Sequence, residues 1–294
     1  MSAAPRNFPG RNAIAQKGWL AAHKWLLLRR FSQLLILALF MAGSWLAGWL
    51  GGLWIIKGNL TSSLLLDTVP LTDPYVFLQI LATGHPVASS AVIGALIVAA
   101  FYLLVGGRVF CAWVCPVNII TDAASWAHRR FGIKSNHPLH AHTRYWFLGG
   151  TFFVAALTGT LAWEWLSPVS IAHRGLFFGM GAGIWFLVIV FLYDLLVAHR
   201  GWCGHLCPMG AFYSLLGKTA LLRVATPRRN DCDDCMDCFA VCPEPQVIRP
   251  ALKKAGQESP VILSSSCTTC GRCIDVCDRR VFKLTHRFDQ RSSS

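Results

Sequence analysis

The sequence predicts an all-α domain of four transmembrane helices, arranged as two repeated hairpins, followed by a small cysteine-rich α+β domain. Three observations predict this division. The chain of 294 residues is 54% hydrophobic and only 14% charged, which is more apolar than a water-soluble protein of this size. Four apolar runs are long enough to cross a bilayer. All twelve cysteines fall into four motifs that lie outside these runs.

The apolar runs define the membrane domain. They span Phe31–Ile56, Val87–Val105, Tyr145–Trp163 and Leu176–Val197, and a hydrocarbon core about 30 Å thick needs roughly 20 such residues. Arg29 and Arg30 resemble the start of a twin-arginine export signal. The apolar region of such a signal spans only roughly 7–15 residues and ends at a cleavage site, so we expect a retained helix.

The basic residues predict how these helices are oriented. Of the 27 Lys and Arg residues, all but two lie before the first run, between the second and third, or after the fourth. The positive-inside rule makes that side cytoplasmic. The sequence therefore predicts a multi-pass protein of the bacterial inner membrane with both termini in the cytoplasm. The net charge of +13 then reflects membrane topology and lipid contact, and nucleic acid is not expected as a partner.

We expect four segments along the chain. They are a cytoplasmic N-terminal segment at 1–30, the four-helix membrane domain at 31–209, a connector at 210–229 and the cysteine-rich domain at 230–294.

The last domain carries two copies of C-x2-C-x2-C-x3-C. Each copy offers three thiolates to one 4Fe–4S cluster, and its fourth cysteine ligates the other cluster. The first predicted set is Cys232, Cys235, Cys238 and Cys277, and the second is Cys267, Cys270, Cys273 and Cys242. Structural zinc and disulfides are the alternatives, but zinc sites space their cysteine pairs differently and need four ligands. The spacing predicts a bicluster, ferredoxin-like domain.

A second motif occurs twice in the membrane domain. Arginine, an aromatic residue and C-x3-C-P recur at an interval of 92 residues, with Cys111 and Cys115 in the first copy and Cys203 and Cys207 in the second. Nearby Arg108 and Arg200, and helix starts at the prolines, predict lowered thiol pKa values. We hypothesise that the four thiolates meet as one redox or metal centre, holding an extra metal or cluster or exchanging disulfides. Simple packing of buried cysteines is the alternative.

Several other cofactors are excluded. No histidine lies in the middle of an apolar run, and no C-x-x-C-H motif for attached haem occurs. No glycine-rich loop for a dinucleotide or nucleotide is present. Electrons must therefore enter and leave through a membrane carrier or protein partners.

With both cysteine systems in place, nearly the whole chain resembles the NapH-type membrane subunit of quinol dehydrogenases that serve periplasmic nitrate reductase. Further matching stretches include Lys17-Gly18-Trp19, Leu28-Arg29-Arg30, 67–74 and Trp163-Glu164-Trp165. The resemblance implies oxidation of ubiquinol or menaquinol. It also implies a periplasmic iron–sulfur subunit and a membrane-anchored multihaem c-type cytochrome as partners, with electrons destined for periplasmic nitrate reductase.

Quinol oxidation needs a proton acceptor at the edge of an apolar site. Asp67, Asp73 and Glu164 in the external loops are the candidates. The two aspartates flank Thr-Val-Pro-Leu-Thr and are equally suited to forming a turn and a helix cap. Glu164 could also anchor the chain at the membrane surface.

Two rival functions remain open at this stage. One is a copper- or thiol-handling assembly protein of the same C-x3-C-P family, because four thiolates suit Cu(I). The other is a structural anchor whose clusters only maintain the shape of the last domain. A physical difficulty also remains, because the clusters and the final acceptor are separated by about 30 Å of apolar medium.

Overall fold

The computed structural model describes residues 9–49, 55–133, 140, 142–179, 181–253 and 259–289. Its helices and strands are α1 (Arg11–Lys17), α2 (Trp19–Ala22), α3 (Lys24–Trp49), β1 (Ile56–Gly58), β2 (Ser62–Leu65), β3 (Val69–Thr72), α4 (Pro74–Ala82), α5 (Ser89–Val105), α6 (Val109–Trp113), α7 (Val117–Phe131), α8 (Thr143–Thr158), α9 (Ala162–Leu166), α10 (Pro168–Phe178), α11 (Gly183–Leu196), α12 (Pro208–Leu216), β4 (Leu222–Ala225), α13 (Asp237–Val241), α14 (Ile248–Lys253), α15 (Arg272–Val276) and β5 (Lys283–His286). A π-helical turn at Trp202–Leu206 precedes α12.

Four helices, α3, α5, α8 and α11, overlap the four runs predicted to cross the membrane. Within the described residues, one helical segment, Lys24–Gly43, is long and apolar enough to span a bilayer. The apolar helices α5 and α11 hold 17 and 14 residues. These lengths correspond to about 26 Å and 21 Å of helix, against a hydrocarbon core of about 30 Å. The four-pass arrangement therefore stays a prediction.

Several predicted helix boundaries are wrong because glycines and a strand interrupt the apolar runs. Ile56 begins β1 and does not end the first helix. The third helix stops at Thr158, where Gly159 adopts a left-handed φ of 64°. Gly179, with φ 86°, follows α10, and the fourth helix begins only at Gly183. Positive φ is accessible to glycine at little steric cost, so glycine is common where a helix ends.

The segment between the first two helices folds back into the bundle. Strands β1, β2 and β3 form an antiparallel sheet, and β3 packs so closely on α5 that a Cβ on Gly94 would lie 2.8 Å from the Thr72 hydroxyl. α4 follows and places the fully buried Tyr75 in the core. The Tyr75 ring lies 5.6 Å from the ring of Phe212 in α12. A segment predicted as an external loop therefore contributes to the helical core.

The connector expected at 210–229 is divided between the two domains. α12 is buried throughout residues 208–214 and approaches Gly107 so closely that a Cβ there would lie 1.7 Å from the Tyr213 carbonyl oxygen. β4 pairs in antiparallel register with β5, Leu222 opposite His286. This two-stranded sheet joins the connector to the cysteine-rich domain, whose own core includes Val224, Ile248 and Phe282.

The N-terminal segment packs against the cysteine-rich domain. The backbone N–H of Gly10 donates to Asp237 at 2.8 Å. The Asp275 carboxylate accepts from the N–H groups of Trp25 and Leu26 at 3.1 and 3.0 Å, where α3 begins and its first N–H groups lack helical partners. Residues 9–26 thus tie the first long helix to the C-terminal domain.

Candidate functional site

The eight cysteines of the last domain line two separate cavities. The first cavity is lined by Cys232, Cys235, Cys238 and Cys277. The second cavity is lined by Cys242, Cys267, Cys270 and Cys273. In both cavities, the last cysteine of one C-x2-C-x2-C-x3-C motif lies with the first three cysteines of the other motif. Each cavity therefore offers the four thiols that a 4Fe–4S cluster requires.

The two loops around these cavities have matching backbone conformations. Asp234 and Thr269, at equivalent positions, have φ values of 58° and 48°. Met236 and Gly271 follow at 63° and 73°, directly before α13 and α15. Left-handed φ costs roughly 1–2 kcal/mol for a residue with a side chain, so both loops need support from their surroundings. At Gly271 a side chain is excluded as well, because a Cβ would lie 2.4 Å from the Trp25 ring.

Each cavity brings together the number of thiols that one 4Fe–4S cluster takes. Among the described residues, no three His, Cys, Asp or Glu side chains converge closely enough to hold one metal ion. Zinc would need four ligands within about 2.3 Å of one centre. Burial raises the pKa of Cys270, but Arg272 and Arg29 outweigh this and bring it to about 7. Cys270 is thus favoured as thiolate, whereas burial raises the pKa of the other three thiols of the second cavity, Cys242, Cys267 and Cys273.

The C-x3-C-P cysteines come together between the two repeats. Cys111 lies in α6 and Cys115 just before Pro116, while Cys203 lies in the π-helical turn. Cys207 caps α12, its sulfur accepting the Gly210 N–H at 3.4 Å. The Cys203 thiol is close enough to interact electrostatically with the other three. The two pairs therefore share one site and do not lie on opposite edges of the bundle.

The expectation of lowered thiol pKa values at Cys115 and Cys207 is wrong. Burial raises the pKa of Cys111, Cys115, Cys203 and Cys207. The Arg108 guanidinium opposes this at Cys111 and Cys207 without reversing it. Buried thiols of this kind stay protonated at neutral pH unless a metal centre displaces the proton. Burial thus favours the protonated form of these thiols as long as no metal centre is bound.

The motif arginines instead fasten the membrane domain to the cysteine-rich domain. Glu244, two residues after Cys242, accepts hydrogen bonds from Arg108 at 2.6 Å and Arg144 at 2.8 Å. All three side chains are almost fully buried. Burial would raise the pKa of Glu244, but the two guanidinium groups hold it below its usual value. Glu244 is therefore ionised and joins both repeats to the second cavity.

The arginine of the second repeat has a parallel role. Arg200 contacts Asp122 of α7 at 2.8 Å, and Arg272 of the second cavity's loop contacts the same carboxylate at 2.5 Å. Arg29 and Arg30 of α3 complete the group. Burial would raise the pKa of Asp122, but Arg272, Arg200 and Arg29 hold it well below the usual range. We call Asp122 and these four arginines the Asp122 hub.

A direct contact links the second cavity to the C-x3-C-P site. Trp113, between Cys111 and Cys115, donates its indole N–H to the Thr269 carbonyl at 3.3 Å. Thr269 is the residue directly before Cys270 of the second cavity. Arg108 also donates to the Ser266 carbonyl at 2.9 Å. The second cavity, and not the first, therefore faces the membrane domain.

The three candidate proton acceptors occupy different environments. Asp67 is exposed in the β2–β3 turn with a φ of 53°. Asp73 is buried, caps α4 by accepting the Tyr75 N–H at 2.8 Å, and accepts the Tyr213 hydroxyl at 3.3 Å. Glu164 accepts the Thr61 hydroxyl at 3.0 Å and keeps 14% of its side chain exposed. The structure thus gives Asp67 and Asp73 the turn and cap roles, and leaves Glu164 at the solvent-facing edge.

Sequence reasoning missed four residues of this site, namely Glu244, Asp122, Arg144 and Trp113. The motif shows Arg108 and Arg200, but the sequence gives no sign that their partners are Glu244 and Asp122. The position of Glu244, directly after Cys242-Pro243, was the one local signal for its docking role.

Comparisons with known proteins agree with these sites. A family model described as "4Fe-4S binding domain" matches residues 87–134 and 178–229, one match for each C-x3-C-P repeat. Another, described as "4Fe-4S dicluster domain", matches residues 231–281. No solved structure matches the chain.

Two groups of relatives cover nearly the whole chain. Ferredoxin-type protein NapH of Escherichia coli is 48% identical over 97% of both chains, and that of Haemophilus influenzae is 45% identical over 98% of this chain and 99% of its own. Methylamine utilization ferredoxin-type protein MauN of Paracoccus denitrificans is 52% identical over 94% of this chain and 95% of its own.

The Glu244 ion pairs predict a large loss of stability in Glu244→Gln. This change leaves Arg108 and Arg144 buried without a carboxylate, which costs about 3–5 kcal/mol. Thermal unfolding of the anaerobically purified protein in detergent measures the effect. Asp231→Asn, which removes an exposed carboxylate, is the matched control and should change stability by less than about 0.5 kcal/mol. Equal unfolding midpoints for the two variants would contradict the assigned role of Glu244.

Proposed function

Because the chain belongs to the family of ferredoxin-type iron–sulfur electron-transfer proteins that includes NapH and MauN, we propose that it is the membrane-bound quinol-oxidising subunit of a respiratory complex. The observation that supports this proposal most is the direct contact between the second cavity and the C-x3-C-P site. Trp113 and Arg108 both bond the backbone of the second cavity's loop. Short, fixed contacts of this kind suit electron transfer between two buried centres.

We propose two 4Fe–4S clusters in the last domain, held by the cysteines of the first and second cavities. Such clusters supply one-electron transfer at potentials that the protein sets through hydrogen bonds, charge and exposure. Arg272 and Arg29 place positive charge beside Cys270, which favours the reduced, more negative state of a cluster there.

The C-x3-C-P thiols are proposed to hold a further iron–sulfur or metal centre. The 4Fe–4S binding family model covers both repeats, and the four thiols are mutually close. Their raised pKa values argue against free thiol exchange. The description of the family model that matches both repeats, 4Fe-4S binding domain, favours a cluster over the copper-handling alternative.

Glu164 is the proposed proton acceptor for quinol. It lies close enough to Asp73 for their charges to interact, and Asp73 is bonded to Tyr213 at 3.3 Å. The Tyr213 ring stacks on Phe110 at 4.9 Å, next to Cys111 in the chain. This connected series of side chains runs from the segment proposed to face the periplasm to the C-x3-C-P site.

The proposed topology has both termini in the cytoplasm and four passes through the bacterial inner membrane. Its support is the basic residue distribution, together with the packing of the N-terminal segment on the cysteine-rich domain. The N-terminal segment and the cysteine-rich domain must then lie on the same side of the membrane.

Electrons are proposed to pass through a periplasmic iron–sulfur subunit and a membrane-anchored multihaem c-type cytochrome to periplasmic nitrate reductase. The similarity to the NapH proteins supports this destination. A second candidate is electron transfer in methylamine utilization, favoured by 52% and 50% identity to two MauN proteins. In both candidate functions this chain transfers electrons through its iron–sulfur clusters, and the two functions differ only in the partner protein.

The crossed ligand sets predict a specific pattern of iron loss. Cys232→Ser and Cys277→Ser should each remove the iron of one 4Fe–4S cluster, and the double variant should lose no more, because both residues line the first cavity. Combining Cys277→Ser with Cys242→Ser should remove the iron of both cavities. Iron analysis and EPR of the dithionite-reduced protein measure this. Equal losses in the two double variants would contradict the crossed arrangement.

Quinol oxidation predicts that quinol reduces the clusters without another reductant. In anaerobic liposomes, a ubiquinol or menaquinol analogue should produce the EPR signal of a reduced cluster. Glu164→Gln should slow this reduction by about 100-fold, the usual contribution of a general base. Asp67→Asn, in an exposed turn, should not change it. Clusters that dithionite reduces but neither quinol does would overturn the proposed substrate.

A further inference from the structure

A cavity of about 900 Å3 lies between the N-terminal segment, α7 and the cysteine-rich domain. Its lining is strongly basic. Seven arginines and two aspartates contribute to it, namely Arg11, Arg29, Arg30, Arg129, Arg130, Arg200, Arg272, Asp122 and Asp275. We call it the arginine cavity. Apolar side chains such as Ile14, Ile119 and Trp126 cover the remaining walls.

The Asp122 hub supplies more positive charge than its carboxylate balances. Four arginines contact this one aspartate. Arg29, Arg200 and Arg272 are 1%, 5% and 6% exposed, yet Arg29 Nε, Arg200 Nε and Arg272 Nη1 are buried without a hydrogen-bond acceptor. A buried donor without a partner is costly, so the hub lacks enough anionic partners for its arginines. The arginine cavity attracts an anion through the excess positive charge of its lining.

The thiolates of the second cavity account for only part of this charge. Arg29 and Arg272 act on Cys270, which lies in the second cavity. Arg129 instead interacts with Arg200 and Arg272 as well as Asp122. Burial, together with Arg200 and Arg129, lowers the pKa of His199 to about 3. Burial is the largest cause of this shift, and Arg200 and Arg129 add to it because both guanidinium groups lie near His199.

We propose that the arginine cavity binds the phosphate of an anionic membrane phospholipid. Guanidinium groups bind phosphate through paired hydrogen bonds, and basic pockets at the cytoplasmic face of membrane proteins bind such headgroups. The apolar walls, and Trp126 with 61% of its surface exposed, fit the glycerol and upper acyl region, where tryptophan is enriched. A neutral quinone would leave the arginine charge unbalanced. The inference needs the proposed membrane location of this face, but it does not need quinol oxidation.

Lipid titration followed by native mass spectrometry tests the proposal on the intact, iron-loaded protein after delipidation in detergent. The probes are dioleoyl phosphatidylglycerol, dioleoyl phosphatidylcholine and inorganic phosphate. Arg129→Gln/Arg130→Gln should weaken phosphatidylglycerol binding about 30-fold, taking each arginine near an anionic headgroup at its usual contribution. Arg249→Gln/Arg279→Gln removes two exposed arginines outside the cavity lining, and should leave binding unchanged.

The expected result is tighter binding of phosphatidylglycerol than of either other probe, with loss only in the cavity variant. Equal affinity for phosphatidylcholine, or undiminished binding by the cavity variant, would overturn the proposal. Phosphate binding as tightly as the lipid would overturn the assignment to a membrane lipid. The iron content of each variant reports whether it is folded. If the Arg129→Gln/Arg130→Gln variant loses iron, Arg11→Gln takes its place, and it should weaken phosphatidylglycerol binding about 5-fold. None of these readouts depends on the redox substrate.

Discussion

Two carboxylates, the buried Glu244 and the mostly buried Asp122, hold the cysteine-rich domain against the predicted membrane domain. Glu244 joins Arg108 and Arg144, and Asp122 joins Arg200 and Arg272. A buried ion pair seldom adds net stability over a well-packed apolar contact, but it enforces one geometry because a misplaced partner leaves a charge unpaired. The position of the second cavity relative to the C-x3-C-P site depends on this constraint. Electron transfer between two centres needs that fixed separation more than it needs extra stability.

The duplicated C-x3-C-P motif contributes to the docking of the two domains as well as to the thiol site. Arg108 and Arg200 occupy equivalent places in the two repeats, and each reaches a carboxylate that also contacts another part of the docked assembly. The thiols of the same motifs meet in the centre, where burial raises their pKa values. Each copy of the motif thus supplies a pair of thiols and an arginine that takes part in the ion pairs between the two domains. The arginine cavity lies beside one of these two docking points.

The spacing of residues close together in the chain predicted the local structure around the cysteines, but not the contacts between distant segments. The C-x2-C-x2-C-x3-C runs fix how a short loop presents its thiols, so the grouping around the two cavities could be predicted from sequence. The apolar runs indicated four long helices, but Gly159 and Gly179 end or separate helices in ways that hydropathy does not reveal. The return of β3 and α4 into the bundle, and the partners of Arg108 and Arg200, depend on contacts between residues far apart in the chain. The repetition of the motif indicated that Arg108 and Arg200 are important, but it did not indicate which residues they bind.

The central claim is that buried ion pairs dock the cysteine-rich domain in one position, with its second cavity facing the C-x3-C-P site. A cryo-EM reconstruction of the anaerobically purified protein in lipid nanodiscs tests it most directly. The account predicts a single domain position, with density joining Glu244 to both Arg108 and Arg144 and the Trp113 indole against the Thr269 carbonyl. A domain averaged over several orientations, or one that presents the first cavity to the membrane helices, would contradict it.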